Sequence, residues 1–314
     1  MRLVLALGGN AMSGADGVAR PDDQREAIAV AMDSVAELVS EGHEVVLTHG
    51  NGPQVGNLLY TSELAAGVVP PTPLDWCGAQ TQATIGMLVL DTLDQALATR
   101  GLPVPVAALV SRTLVAEDDP GFAKPSKPIG RYVQQSEAAL LVEHGQHWRE
   151  IGARGWRRLV ASPEPVRCLD FPAAKALLTA GFVVVCSGGG GIPTVRREAE
   201  GYVGVEAVID KDLTAALLAE QVLADVLVIA TDVEAAVLGF GTPGAHPIGD
   251  VTTEELRTLA SEGHFADGSM GPKVEAVTRF AERTRNIGVI TSLPLIAQAV
   301  AGAVGTRVHP VSPA

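Results

Sequence analysis

Short aliphatic and β-branched runs alternate along the chain with longer stretches whose apolar positions recur every three or four residues. Leu3–Leu7, Glu44–Thr48, Val104–Val110, Phe182–Cys186, Val226–Ala230 and Val289–Thr291 read as strands. Between the first two, Ile28, Met32, Val35 and Val39 fall on one helical face, predicting a helix from about Pro21 to Glu41 that Gly42 ends. A second helix is expected near Asp75 to Thr99, stopping at Gly101. Thr252 and Glu255 form a capping box that opens another helix toward Ser261. Such alternation predicts an α/β fold, a mostly parallel sheet with helices on both faces.

One stretch leaves this rhythm. From about Glu117 to Cys168 the chain carries Asp118-Asp119-Pro120-Gly121, Lys124-Pro125-Ser126-Lys127-Pro128, Trp148, Trp156 and Arg157-Arg158. It is expected to depart from the sheet as a lid subdomain, inserted in a single domain spanning residues 1–314.

Composition narrows the function classes. With 36 acidic against 23 basic residues, the chain has no basic field to recruit a nucleic acid. Its three cysteines, Cys77, Cys168 and Cys186, include no C-x-x-C pair, which argues against a disulfide framework or zinc ribbon. Leu3–Leu7 is too short for a signal peptide and breaks at Gly8-Gly9-Asn10. The most apolar stretch, Ile287 to Val304, holds Ser292, Pro294 and Gln298 and reads as strand plus helix, not a membrane span. A reduced, cytoplasmic protein is the expectation.

Three strands end in glycine-rich turns: Gly8-Gly9-Asn10, Gly50-Asn51-Gly52 and Gly188-Gly189-Gly190-Gly191. Each is expected to lead into a helix, and in a parallel sheet all three converge on one edge. Their backbone N–H groups and the helix dipoles favour an anion, with Gly189 and Gly190 candidates to approach a phosphate. No P-loop or nucleophile elbow occurs. Gly239-x-Gly241-x-x-Gly244 matches a dinucleotide pattern in letters, but it is displaced from its strand and holds Pro243, so it reads as a loop. His144 and His147, beside Glu143, read as a solvated helix face and not a metal site.

Only five of the 23 basic residues are lysines: Lys124, Lys127, Lys175, Lys211 and Lys273. A lysine kept where arginine otherwise serves marks a place that suits a compact ammonium. Lys175 lies on an ordinary surface helix pattern. Lys124 and Lys127 sit in the proline-rich loop, and Lys211 lies between Asp210 and Asp212 at a helix start. Lys273 follows Gly268-Ser269-Met270-Gly271-Pro272, with Pro272 placed as a first helical residue. Lysines and loop amides without a nucleophile point to phosphoryl transfer, which asks chiefly for positioning and charge neutralisation. Asp210 or Asp212 would orient the ammonium groups, cap the helix, or do both.

Along nearly its whole length the sequence resembles the carbamate kinases of the amino acid kinase superfamily. The matching segments are Ala6–Ala11, His49–Gly56, Pro73–Gly86, Lys124–Gly130, Ser187–Pro193, Gly204–Leu213, Thr231–Val233 and His264–Ala276. The resemblance implies a three-layer αβα sandwich with a protruding lid, a homodimer, and MgATP as phosphoryl donor to carbamate. The reverse reaction makes ATP from carbamoyl phosphate. Lys127 matches the family's lid lysine, Lys211 and Lys273 its phosphate-site lysines, and Asp212 its organising aspartate. Gly8, Gly9, Asn10, Gly50, Asn51 and Gly52 match the loops for the acceptor and the transferred phosphoryl group. Thr231, Asp232, Val233, Met270 and Gly271 join Lys211 and Lys273 as candidate nucleotide contacts.

Departures from the family pattern fall at Val237-Leu238, Phe240 and Gly241-Thr242-Pro243, and near the lid at Ser111-Arg112 and Arg131-Tyr132. They leave room for a related kinase with another carboxylate, carbamoyl or phosphonate acceptor. A silent nucleotide sensor fits the retained Lys127, Lys211, Asp212 and Lys273 poorly. An oxidoreductase would rest on the displaced Gly239–Gly244 pattern alone.

Overall fold

The computed structural model describes residues 1–9, 20–143, 145–265 and 270–311, with Ala153 described for its backbone only. The strand-like runs assemble into one eight-stranded sheet. Its centre is β1 (Arg2–Leu7), flanked by β2 (Glu44–His49) and β12 (Val226–Thr231). Beyond β2 lie β9 (Val183–Val185) and β3 (Val106–Ala108). Beyond β12 lie β16 (Ile287–Ser292), β17 (Thr306–His309) and β15 (Asp250–Thr252). Every neighbouring pair is parallel except β16 with β17. The expected strand at Val104–Val110 is confined to three residues, because Pro105 has no N–H for a ladder.

Alternate residues of each strand feed two cores, the period-two consequence of the pleat. Leu3, Leu5, Leu7, Val45, Leu47 and Val228 pack against α1 (Pro21–Ser40), α3 (Leu74–Thr99) and α10 (Ile296–Val300). Val4, Ala6, Val46, Leu227 and Ile229 pack instead against α6 (Phe171–Thr179), α7 (Lys211–Val222), α8 (Thr253–Ser261) and α9 (Met270–Thr284). The result is a three-layer αβα sandwich. The stripe Ile28, Met32, Val35 and Val39 is buried, Gly42 follows α1 with φ +82°, and the Thr252–Glu255 capping box forms. No described helix is long and apolar enough to cross a membrane, and the three cysteines are free and buried.

A second, four-stranded sheet runs β11 (Gly201–Gly204), β10 (Ile192–Arg197), β4 (Arg112–Val115) and β8 (Pro165–Cys168). After β4, the short α4 (Pro120–Ala123) leads to a third sheet of β5 (Lys127–Val133), β7 (Trp156–Val160) and β6 (His147–Glu150). The helix α5 (Gln135–Glu143) lies between β5 and β6 in the chain. The segment expected to leave the main sheet therefore has its own sheet over Lys127–Val160, while Pro165–Cys168 pairs with β4. Its base packs on α2 (Gly52–Ala65), where Ile129 and Val160 join Val55 and Leu59 in a small core. His147 opens a strand and is not on a helix as the spacing suggested, and His144 lies outside the described residues.

Candidate active site

The carboxyl ends of the central strands carry the glycine turns. Gly8 N–H donates to Ala230 O at 2.8 Å and Gly50 N–H to Leu7 O at 2.8 Å, so the ladder runs on past the strands into both loops. A Cβ on Gly50 would lie 2.7 Å from Gly9 N and 3.0 Å from Lys211 Cδ, a clearance that needs glycine. Gly52 is the first residue of α2, with open space where a Cβ would stand. Asn51 does not cap α2; its Nδ2 donates to Thr81 Oγ1 at 2.8 Å. Asn10 lies outside the described residues.

The third glycine turn does not enter a helix. Gly188–Gly190 makes one 3-10 turn and the chain then runs straight into β10, whose β-branched residues suit a strand. Gly189 has φ +67°, and a Cβ there would come 2.3 Å from Asn51 Nδ2, so the second and third turns interlock. Gly190 O accepts from Thr214 Oγ1 at 3.1 Å, tying this turn to α7. Gln82, buried on α3, donates to Ser111 O at 3.0 Å and to Gly188 O at 2.8 Å. Its Oε1 accepts from Ser111 N at 2.8 Å.

Three lysines reach this edge from three elements. Asp210 caps α7, its Oδ1 accepting from the N–H groups of Asp212 (2.9 Å) and Leu213 (3.3 Å). Its other oxygen takes Lys127 Nζ from the start of β5 at 2.6 Å. Asp212 binds Lys211 Nζ through Oδ1 at 2.5 Å and Lys273 Nζ through Oδ2 at 3.2 Å. The capping and orienting roles, left open between the two aspartates, are thus divided, with Asp210 doing both. Among the described residues, two carboxylates hold three ammonium groups beside the loop amides.

Burial sets the local electrostatics. The Asp212 side chain is 4% exposed, while those of Lys211 and Lys273 keep 14% each. Desolvation pushes the Lys211 ammonium below its ordinary pKa, and Lys273 adds to this, against the pull of Asp212. Burial alone would raise Asp210, but Lys127 and Lys211 hold its carboxyl below the usual range. His49 is fully buried under the loop, and its pKa is lowered to about 4, chiefly by desolvation. Its Nδ1 lies 3.0 Å from Gly50 O, while Nε2 has no hydrogen-bond partner among the described residues.

Met270 and Gly271 form the first turn of α9 and bring Lys273 inward. Pro272 is therefore the third helical residue and not the first, which is tolerated because first-turn N–H groups have no intrahelical partner. Gly268 and Ser269 lie outside the described residues. Thr231 ends β12 and its hydroxyl donates to Asp232 Oδ1 at 2.9 Å. Val233 lines a cleft of about 410 Å³ with Ala235, Val237, Pro247 and Ile248, and none of the lysines is in that lining. Gly239–Gly244 is the loop joining β13 (Val237–Leu238) and β14 (His246–Pro247), with no helix following it, so the dinucleotide pattern has no structural counterpart. Lys175 is on α6, away from the cluster.

Sequence reasoning missed His49, Thr81, Gln82 and Ser111. The signal available for two of them was a polar pair, Thr81-Gln82, on the otherwise apolar buried face of α3. Among the described residues no group of three His, Cys, Asp or Glu side chains is placed to hold a metal, and both site aspartates are already engaged by ammonium groups.

Residues 1–291 match the model of the amino acid kinase family. The chain is 42% identical over 311 residues to a carbamate kinase of Thermococcus kodakarensis, covering 98% of each. It is 42% identical over 315 residues to a carbamate kinase of Trichomonas vaginalis, covering 99% of this chain and 100% of that one. A carbamate kinase of Giardia lamblia, solved bound to AMP-PNP, superposes with a TM-score of 0.90 at 39% identity, covering 98% of both chains.

Proposed function

The chain belongs to the amino acid kinase family, and from that premise we infer that it catalyses reversible phosphoryl transfer between ATP and carbamate, giving ADP and carbamoyl phosphate. The observation that carries this reading is the cluster of Lys127, Lys211 and Lys273 on Asp210 and Asp212, beside the interlocked turns at Gly9, Gly50 and Gly189. A phosphoryl group in flight spreads negative charge over its oxygens, and preorganised ammonium and amide donors stabilise that charge without reorganising. Asp212 holds Lys211 and Lys273 in place. The amides of Gly9, Asn51 and Gly52 suit the small planar anion, with Gly8 and Gly50 shaping its pocket. Gly189 and Gly190 back that pocket through Asn51 and α7.

For the nucleotide we propose that Met270, Gly271 and Lys273 approach the phosphates and that the cleft beyond Thr231 and Asp232, lined by Val233, receives the base. Because both aspartates already hold lysines, no cage for magnesium forms among the described residues. The ion is read as part of the substrate MgATP, held by phosphate oxygens and water. The insert from about Glu117 to Cys168 is read as a lid delivering Lys127 to the reaction centre. A cytoplasmic homodimer, running the reaction toward ATP, completes the reading.

The test is ATP formation from carbamoyl phosphate and ADP with the purified full chain, beside ATP consumption with a panel of other small acids. Turnover of carbamoyl phosphate supports the assignment. No ATP from carbamoyl phosphate, with turnover of another acceptor, transfers it to a related kinase.

A further inference from the structure

Eighteen arginines serve this acidic chain, and most rest on carboxylates. In the insert, among the described residues, Arg149 on β6, Arg157 on β7 and Arg154 in the turn between these strands do not. In the antiparallel pairing of β6 with β7, Arg149 stands directly opposite Arg157, so the two project from the same face. The Arg157 guanidinium lies 5.2 Å from the centre of the Tyr132 ring, and that of Arg154 lies 5.9 Å from the same ring. Arg157 Nε donates to Gly130 O at 3.1 Å. Glu150, the nearest acid on β6, pairs with Trp156 and so belongs to the opposite face. Among the described residues none of the three guanidinium groups has a carboxylate partner. The neighbouring Arg131 and Arg158 do, with Glu137 and Glu63.

This arrangement is costly. Like charges directly opposite in a ladder destabilise it, and a half-buried cation usually has a counter-charge. Burial pushes the Arg157 guanidinium below its ordinary range, with Tyr132 only partly opposing this. In a chain with an acidic excess of 13, supplying one glutamate here would have been simple. Neighbouring guanidinium forks lacking a carboxylate partner match the oxygens of a phosphate group.

We propose that Arg154 and Arg157, both over the Tyr132 ring, and Arg149, opposite Arg157, form a second anion site for a phosphate-bearing small molecule, separate from the lysine cluster. Gly130, whose carbonyl Arg157 holds, lies three residues from Lys127 on β5, so the occupied site would brace the strand that carries the lid lysine.

Inorganic phosphate is the probe, counted per full-length chain by equilibrium dialysis. The parent is expected to bind two equivalents, and the variant carrying Arg149→Gln and Arg154→Gln one. With the reaction centre filled by AMP-PNP, the parent is expected to bind one equivalent and the variant none. Both substitutions are at exposed positions, and an unchanged circular dichroism spectrum establishes that the variant is folded. Replacing phosphate by ADP in the AMP-PNP arm distinguishes the source: binding of both means the phosphate group is read, whereas binding of ADP alone means a nucleotide is. Equal counts of phosphate and of ADP in parent and variant, or neither phosphate nor ADP bound by the AMP-PNP-filled parent, would overturn the proposal. The count requires no turnover, so its result is independent of the assigned reaction.

Discussion

Asp212 holds two ammonium groups with one carboxylate, and Asp212→Asn isolates what that charge does. The amide keeps the shape but leaves Lys211 and Lys273 facing each other in a site where Asp212 is 4% exposed. At an effective dielectric of about 20, each close charge pair is worth roughly 4 kcal/mol before desolvation is counted. Removing one partner from a buried pair has a net cost of about 3–5 kcal/mol. With an unfolding entropy of about 2.1 cal/mol/K per residue, that lowers the midpoint of this chain by roughly 5–8 °C. The assay is thermal unfolding of parent and variant, each without ligand and with saturating ADP or inorganic phosphate. An anion supplies the missing negative charge, so the gap should narrow when ligand is present. A variant as stable as the parent, or a gap that phosphate and ADP leave unchanged, would refute the argument that Asp212 serves to hold two repelling cations for an anion.

Lys211→Ala and Lys273→Ala should each lower kcat by a few hundredfold, the effect of about 3–4 kcal/mol of lost charge stabilisation, measured with carbamoyl phosphate and ADP. Lys127→Met should reduce kcat strongly and change ADP affinity little, because the core lysines still hold the nucleotide; calorimetry beside turnover checks this, and a parallel fall would make Lys127 a static nucleotide ligand. Gly50→Ala should destabilise by about 1–3 kcal/mol, since its Cβ would lie 2.7 Å from Gly9 N, as read from chemical denaturation. His49 has a folded pKa of about 4 against an unfolded value near 6.5. The unfolded chain therefore binds the proton first as pH falls, and stability present above about pH 6.5 declines by roughly 3 kcal/mol toward pH 4. His49→Asn should flatten that window in pH-dependent unfolding.

The sandwich was readable in the sequence because strand and helix periods alternate cleanly: the stripe from Ile28 to Val39 could bury only as a helix. The lysines stood out because arginine fills almost every other basic position. Details set by long-range packing were not readable. The turn at Gly188 was expected to open a helix, as glycine turns after strands commonly do, but its partners are Asn51, Ile209 and Thr113, far away in the chain. The second sheet escaped notice because β8 pairs with β4 across the whole insert, 50 residues apart. His49 gave no signal, since its importance lies in what buries it.

The two aspartates differ in what happens when a lysine leaves, and that difference supports a movable lid. Among the described residues, the partners of the two Asp212 oxygens are ammonium groups alone, and without them the carboxylate would be orphaned. Asp210 is also bound by two backbone N–H groups of α7, so withdrawing Lys127 leaves one oxygen still satisfied by a helix cap. Lys127 itself is 31% exposed and can be taken up by water. The contact that the insert makes with the lysine cluster is therefore an ion pair that can open at modest cost, whereas the contact between Asp212 and the two core lysines is buried. A site built this way keeps its charge array intact in either lid position and changes only the presence of the third cation. An incoming phosphate would draw Lys127 off Asp210, and the cap would keep Asp210 from following.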